Sequence, residues 1–116
     1  AAGGKADLER RVLSLIGLGA RAGRLGIGVE AAHAALRRGT AEALIMPKDA
    51  SPRSKDQLVS LAGHKEVPVH IVADAERLGA ALGRPPVHGV AVLDRQLARG
   101  LRAYLAGQDQ KEMAAG

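Results

Sequence analysis

The chain contains no cysteine, phenylalanine or tryptophan, and Tyr104 is its only tyrosine. Without cysteine there is no disulfide scaffold, no thiolate zinc or iron–sulfur site and no thiolate nucleophile. Such a composition fits a reducing compartment. The scarcity of aromatics argues against binding modes that stack bases on rows of aromatic side chains. No apolar run approaches the roughly 18–20 residues needed to span a bilayer, and the N-terminus lacks the charged-then-apolar pattern of a secretory signal. The expectation is a soluble, cytoplasmic protein with no membrane partner.

What is present is basic. The 116 residues carry 17 Lys+Arg against 12 Asp+Glu, a formal charge of +5, and arginine outnumbers lysine twelve to five. The planar guanidinium fork suits phosphate better than the point charge of lysine. The charge is uneven: residues 1–38 hold net +4 (7 − 3), residues 39–65 net +1 (4 − 3), residues 66–94 net −2 (2 − 4) and residues 95–116 net +2 (4 − 2). The length suits a single domain able to bury its own core. A basic balance of this size reads either as a solvated surface or as a face for nucleic acid.

Helical and extended patterns alternate along the chain. Residues 1–6 are small and Gly-rich and read as a linker, and residues 107–116 as a flexible tail, which leaves 7–106 as the domain. Asp7 is a candidate N-cap for a helix carrying Leu8, Val12, Leu15 and Ile16, closed near Gly23. A short extended piece, Leu25 to Ile27, precedes an Ala-rich helix from Val29 to Arg38 that ends on Gly39. Ala43 to Met46 reads as a buried strand closed by Pro47. Ser51-Pro52 opens a helix bearing Leu58, Val59, Leu61 and Ala62 to about Gly63. Val67 to Val72 reads as a strand with Pro68 at its start. Asp74 caps a short helix from Ala75 to Leu82, Val87 to Leu93 is a further strand, and Asp94 caps a last helix with Leu97, Leu101, Tyr104 and Leu105 on its apolar side. The alternation predicts an α/β fold, a three-layer α-β-α sandwich around a small mixed four-stranded sheet. Apolar rather than alternating strands fit a sheet covered on both faces.

Three loops could carry chemistry. Gly26-Ile-Gly28-Val-Glu-Ala31 matches the G-x-G-x-x-A dinucleotide turn, with Asp49 about 20 residues on where a ribose-binding acid belongs. The strand before it is only about three residues long, and a full dinucleotide fold needs more chain than follows. What survives is a Gly-rich loop feeding a helix N-terminus, where free N–H groups and the positive dipole end favour phosphate. The same glycines also suit an ordinary tight turn. Pro47-Lys-Asp-Ala-Ser-Pro52 offers Lys48 beside a second helix start, or is a simple capped turn. Gly83-Arg-Pro-Pro-Val-His88 is stiffened by two prolines and presents Arg84 and His88 at little ordering cost, or is a rigid connector. His33, His64, His70 and His88 show no metal-ligand spacing, and no nucleophile motif or paired carboxylates stand out, so neither catalysis nor a metal or cofactor is expected.

With these residues in view, the chain resembles the ribosomal-protein L-seven-Ae/L-thirty-e family of kink-turn RNA-binding domains, most closely its bacterial members. The resemblance covers nearly all of residues 8–105. It rests on Leu15-Ile-Gly-Leu-Gly-Ala-Arg-Ala-Gly-Arg-Leu25, the block from Gly28 to Gly39, Gly39-Thr-Ala-Glu-Ala-Leu-Ile-Met-Pro-Lys-Asp-Ala-Ser-Pro52, Val67-Pro-Val69, and Leu78-Gly-Ala-Ala-Leu-Gly83 before a strand. It implies an RNA surface on the loops 26–30, 48–51 and 84–88, the same three picked out above. The contact set it implies, with neighbouring cations, is Arg24, Gly26, Ile27, Gly28, Glu30, His33, Arg37, Lys48, Asp49, Arg84, Pro86 and His88. The family's Asn and Lys after the glycine are replaced here by Glu30 and Ala34, which implies a looser, shape-driven grip through Arg24, Arg37, Arg38 and Arg84. The Ala- and Gly-rich start is similar to bacterial two-part proteins in which such a domain follows a small basic YlxR-type domain. The resemblance thus implies a non-catalytic binder of structured or ribosomal RNA in translation. An interaction module that keeps the fold without reading RNA is the alternative.

Overall fold

The computed structural model describes residues 3–115, with side-chain surroundings for 6–105. The elements are α1 (Gly3–Arg21), β1 (Leu25–Ile27), α2 (Val29–Arg38), β2 (Ala43–Met46), α3 (Pro52–His64), β3 (Val69–Ile71), α4 (Ala75–Ala81), β4 (Val90–Val92) and α5 (Arg95–Ala115). The sheet runs β1-β4-β2-β3, with β4 antiparallel to both neighbours and β2 parallel to β3. This is the expected mixed four-stranded sheet.

The central strands explain the layers. Every residue of β2 and β4 is buried, and side chains alternate across a sheet. Ala43 and Ile45 of β2, with Val90 and Val92 of β4, join Val12 and Ile16 of α1, Leu78 of α4 and Leu97, Leu101 and Leu105 of α5. Leu44, Met46 and Ala91 point the other way, to Ala32, Ala35 and Leu36 of α2 and Leu58 and Ala62 of α3. Two cores back to back make the sandwich, and burial on both faces is why these strands read as unbroken apolar runs.

The caps act where the sequence places them. Ser51 Oγ accepts from the Ser54 N–H at 3.1 Å, with Pro52 opening α3. Asp74 Oδ1 accepts from the Arg77 N–H at 2.7 Å, and Asp94 Oδ2 from the Leu97 N–H at 2.9 Å. Gly39 closes α2 in the left-handed conformation.

Other expectations shift. Helix α1 starts at Gly3, so Asp7 lies inside it and meets Arg10 at 3.7 Å instead of capping. Helix α5 runs past Gly107 to Ala115. Helix α3 continues through Gly63 to His64, and Glu66 takes the positive φ that follows. The extended strand Val67 to Val72 shrinks to β3 because Pro68 has no N–H to give to a ladder; its carbonyl instead accepts from the Leu44 N–H at 2.9 Å. Val87 to Leu93 likewise narrows to β4. Tyr104, read on the apolar side of its helix, is exposed, as is Val59.

One glycine fixes the α4–β4 connection. A Cβ on Gly79 would collide with the Pro85 carbonyl, and the Arg84 N–H donates to the Gly79 carbonyl at 2.8 Å. The loop therefore lies flat along α4, and backbone on backbone leaves no soft neighbour to yield. Gly79→Ala is expected to destabilise the domain by about 2–3 kcal/mol, the upper part of the overpacking range. Urea unfolding of the two proteins checks this.

Candidate nucleic-acid interface

Strand direction gathers three helix starts at one rim of the sheet. The register Ile27↔Val90 and Ile45↔Val90 sets the ends of β1 and β2 beside the start of β4. Parallel pairing brings the end of β3 alongside β2. Backbone bonds then lock the loops that follow: the Gly28 N–H donates to the Gly89 carbonyl at 2.8 Å, and the Lys48 N–H to the Ala73 carbonyl at 2.9 Å. Helices α2, α3 and α4 all leave from this rim, so their positive dipole ends share one side of the molecule.

The three starts are not equivalent. Ser51 caps α3, and Asp74 caps α4. Asp49 adds a second acceptor at α4, taking the Ala75 N–H on Oδ1 at 2.8 Å. Helix α2 has no side-chain cap: its N-cap residue is Gly28, at φ 102° and ψ 159°. That backbone is costly for any residue with a Cβ. The first intrahelical bond is that from the Ala32 N–H to the Gly28 carbonyl, so the first-turn N–H groups of Val29, Glu30 and Ala31 point out of the helix end as free donors. Lys48, exposed in the loop after β2 on the same rim, forms no ion pair among the described residues. Negative groups stand here too: Glu30 in the first turn of α2 and Glu76 in that of α4, besides the capping Asp74 and Asp49.

The structure sorts the expected contact residues. Gly26, Ile27, Gly28, Glu30, Lys48, Asp49 and His88 belong to the rim or its walls. Pro86 reaches it too, because the Val87 N–H donates to the Ala75 carbonyl at 3.0 Å. His88 is half-buried, and its Nδ1 is enclosed without a hydrogen-bond partner. Asp49 is occupied with Ala75, so its part is to tie the Lys48 loop to α4. Arg84, through its bond to Gly79, sits a turn back from the rim and exposed.

Arg24 lies elsewhere. It precedes β1 at the opposite rim, four residues and about 13 Å of extended chain from Gly28. There its carbonyl accepts from the Leu93 N–H at 2.9 Å, and Nη1 meets Asp94 Oδ1 at 2.8 Å. The Leu97 N–H, ahead of the Arg24 guanidinium, holds the Asp94 carboxyl below the usual carboxylate range. Arg24 thus joins β1 to the start of α5.

His33 and Arg37 lie off the rim, in a groove between α2 and α3. Its half nearer the rim encloses about 480 Å³ between Val29, Glu30 and His33 on one side and Arg53, Ser54 and Gln57 on the other. Sequence reasoning passed over Arg53 and Gln57, because polar residues on an amphipathic helix look alike whether they face bulk water or a neighbouring helix. Only the packing of Leu58 and Ala62 against Leu36 turns them inward to the groove.

A family model described as the Ribosomal protein L7Ae/L30e/S12e/Gadd45 family matches residues 10–101. Among solved structures, one described as a protein with unknown function from Bacillus halodurans C is 33% identical, covering 82% of this chain and 96% of its own, with a TM-score of 0.77. The Giardia lamblia 15.5kD RNA binding protein shares the fold at 24% identity and a TM-score of 0.72, covering 88% of this chain and 87% of its own. No curated protein matches the chain.

Asp49→Ala should cost about 1 kcal/mol, the ordinary worth of a hydrogen bond at a partly exposed site. Amide exchange should show the Ala75 end of α4 opening more readily, with the centre of the sheet unchanged.

Proposed function

From the premise that the chain belongs to the L7Ae/L30e/S12e/Gadd45 family, we propose that it is a non-catalytic RNA-binding domain that holds a sharply bent, kink-turn-like element against this rim. The observation that carries the reading is the uncapped start of α2 on a rim shared by three helix starts, with the unpaired Lys48 in the loop after β2 on the same rim. A bent RNA backbone crowds phosphates together, and closely spaced amide donors backed by a helix dipole match that density. Pro86, Val87 and His88 form a stiff shoulder against which an extruded base can rest. This grip needs no aromatic platform, which reconciles RNA binding with a chain that has no phenylalanine or tryptophan. A role in translation on ribosomal RNA, alongside an associated nucleic-acid-binding domain, completes the proposal.

Glu30 favours a second reading. An acid in the first turn already satisfies the α2 dipole, and it stands where phosphate would approach. In that reading the domain is a protein-interaction module.

Binding to a kink-turn hairpin, followed by fluorescence anisotropy, separates the two. Affinity should fall steeply as salt rises, and Lys48→Ala should weaken binding and reduce the slope of log K against log salt by about 0.7–0.9, the value of one phosphate contact. Glu30→Gln should tighten binding about two- to fivefold, as removal of a charge worth 0.3–1 kcal/mol implies. Arg24→Ala, at the other rim, should leave affinity unchanged. An interaction module shows no measurable affinity in any of these proteins.

A further inference from the structure

The groove between α2 and α3 does not stop at the rim. Beyond its first half it continues for about 410 Å³ between Arg37, Ser60, Leu61 and His64, and His33 and Gln57 wall both halves. It is therefore one channel that opens at Val29, the first residue after the uncapped Gly28. From Val29 to Arg37 the helix rises about 12 Å at 1.5 Å per residue.

Its lining is basic and planar. Arg37 and Arg53 form no ion pair among the described residues. Lys65 stands at the far end, where its Nζ donates to the Arg37 carbonyl at 3.3 Å. Against these cations stands Glu30, at the mouth. The groove also gathers planar groups in a chain nearly devoid of aromatics: the imidazoles of His33 and His64 and the guanidiniums of Arg37 and Arg53. Imidazole and guanidinium planes are the surfaces on which unpaired bases stack when aromatics are lacking. Tyr104 is far from this assembly, on α5 in the other layer.

The groove is a surface furrow one helix spacing wide, about 8–10 Å, too narrow for a duplex to settle into. A single strand fits, and at about 3.4 Å per stacked nucleotide the groove holds three to four. We propose that this groove is a track for a single-stranded RNA segment flanking the structured element held at the rim. Phosphates meet Arg37 and Arg53, bases stack on His33 and His64, and the Gln57 amide reaches base edges. The inference rests on the RNA-binding reading of the rim.

The test uses one kink-turn hairpin in three forms: blunt, with a four-nucleotide single-stranded RNA flank on either end in turn, and with that flank made abasic. The flank on one end should tighten binding to the wild-type chain about fivefold or more. In Arg37→Ala/Arg53→Ala this gain should vanish while blunt affinity stays the same. In His33→Ala/His64→Ala the flank should help only as much as the abasic flank helps the wild type. Thermal melts should show both variants folded, since all four substituted side chains are exposed or half-buried. Equal wild-type affinity for blunt and flanked RNA overturns the track and leaves the rim reading standing. Loss of blunt affinity in the arginine variant also overturns it, because those residues would then serve the kink. No binding to any form overturns the rim reading and the track together.

Discussion

The antiparallel pairing of β2 with β4 is the constraint on which the molecule depends. These two strands are buried on both faces and supply alternate side chains to both cores. Removing that apolar surface from water is the dominant favourable contribution to folding, and a slip of one residue would exchange the two cores' side chains. The register is therefore held, and the β1–β4 and β2–β3 pairings built on it set Gly89 against Gly28 and Lys48 against Ala73. The candidate interface is a consequence of where the buried strands end.

From this follows a division of labour among the polar residues of the rim. Ser51, Asp74 and Asp49 are used internally, each satisfying a helix N–H that would otherwise be left without a partner. At α2 the cap position is glycine, which contributes no side chain, and its φ of 102° turns the chain so that the first-turn amides face outward. Of the three helix starts at this rim, that of α2 alone has no side-chain cap. Arg24 shows the same economy on the opposite rim, where a cation that resembles a phosphate ligand in sequence joins Asp94 and the start of α5 instead.

Much of this was legible in the sequence, for local reasons. Ser51-Pro52, Asp74 and Asp94 are short-range signals whose hydrogen bonds close within three residues, and all three act as read. Ala43 to Met46 was legible because an unbroken apolar run before a proline has few alternatives to a buried strand. What escaped depends on distant partners. The start of α1 was misplaced because Asp7 has the chemistry of a cap but meets Arg10 within the helix. The run from Val67 reads longer than β3 because Pro68 stops the ladder at one end and the end of β2, recorded elsewhere in the chain, stops it at the other. The place of Arg24 is not legible locally, because its distance from Gly28 depends on β1 being extended and its partner Asp94 lies far along the chain. Arg53 and Gln57 were invisible because a groove belongs to two helices and not to either pattern.

The claim at the centre of this account is that RNA is met by the open start of α2 and the Lys48 loop. Backbone amide shifts during titration with a kink-turn hairpin test it most directly, since they report the donors themselves. The amides of Val29, Glu30, Ala31 and Lys48 should move most, with those of Arg24, Asp94 and Arg95 unmoved. Shifts centred on the Arg24–Asp94 rim, or no shifts at saturating RNA, would contradict it.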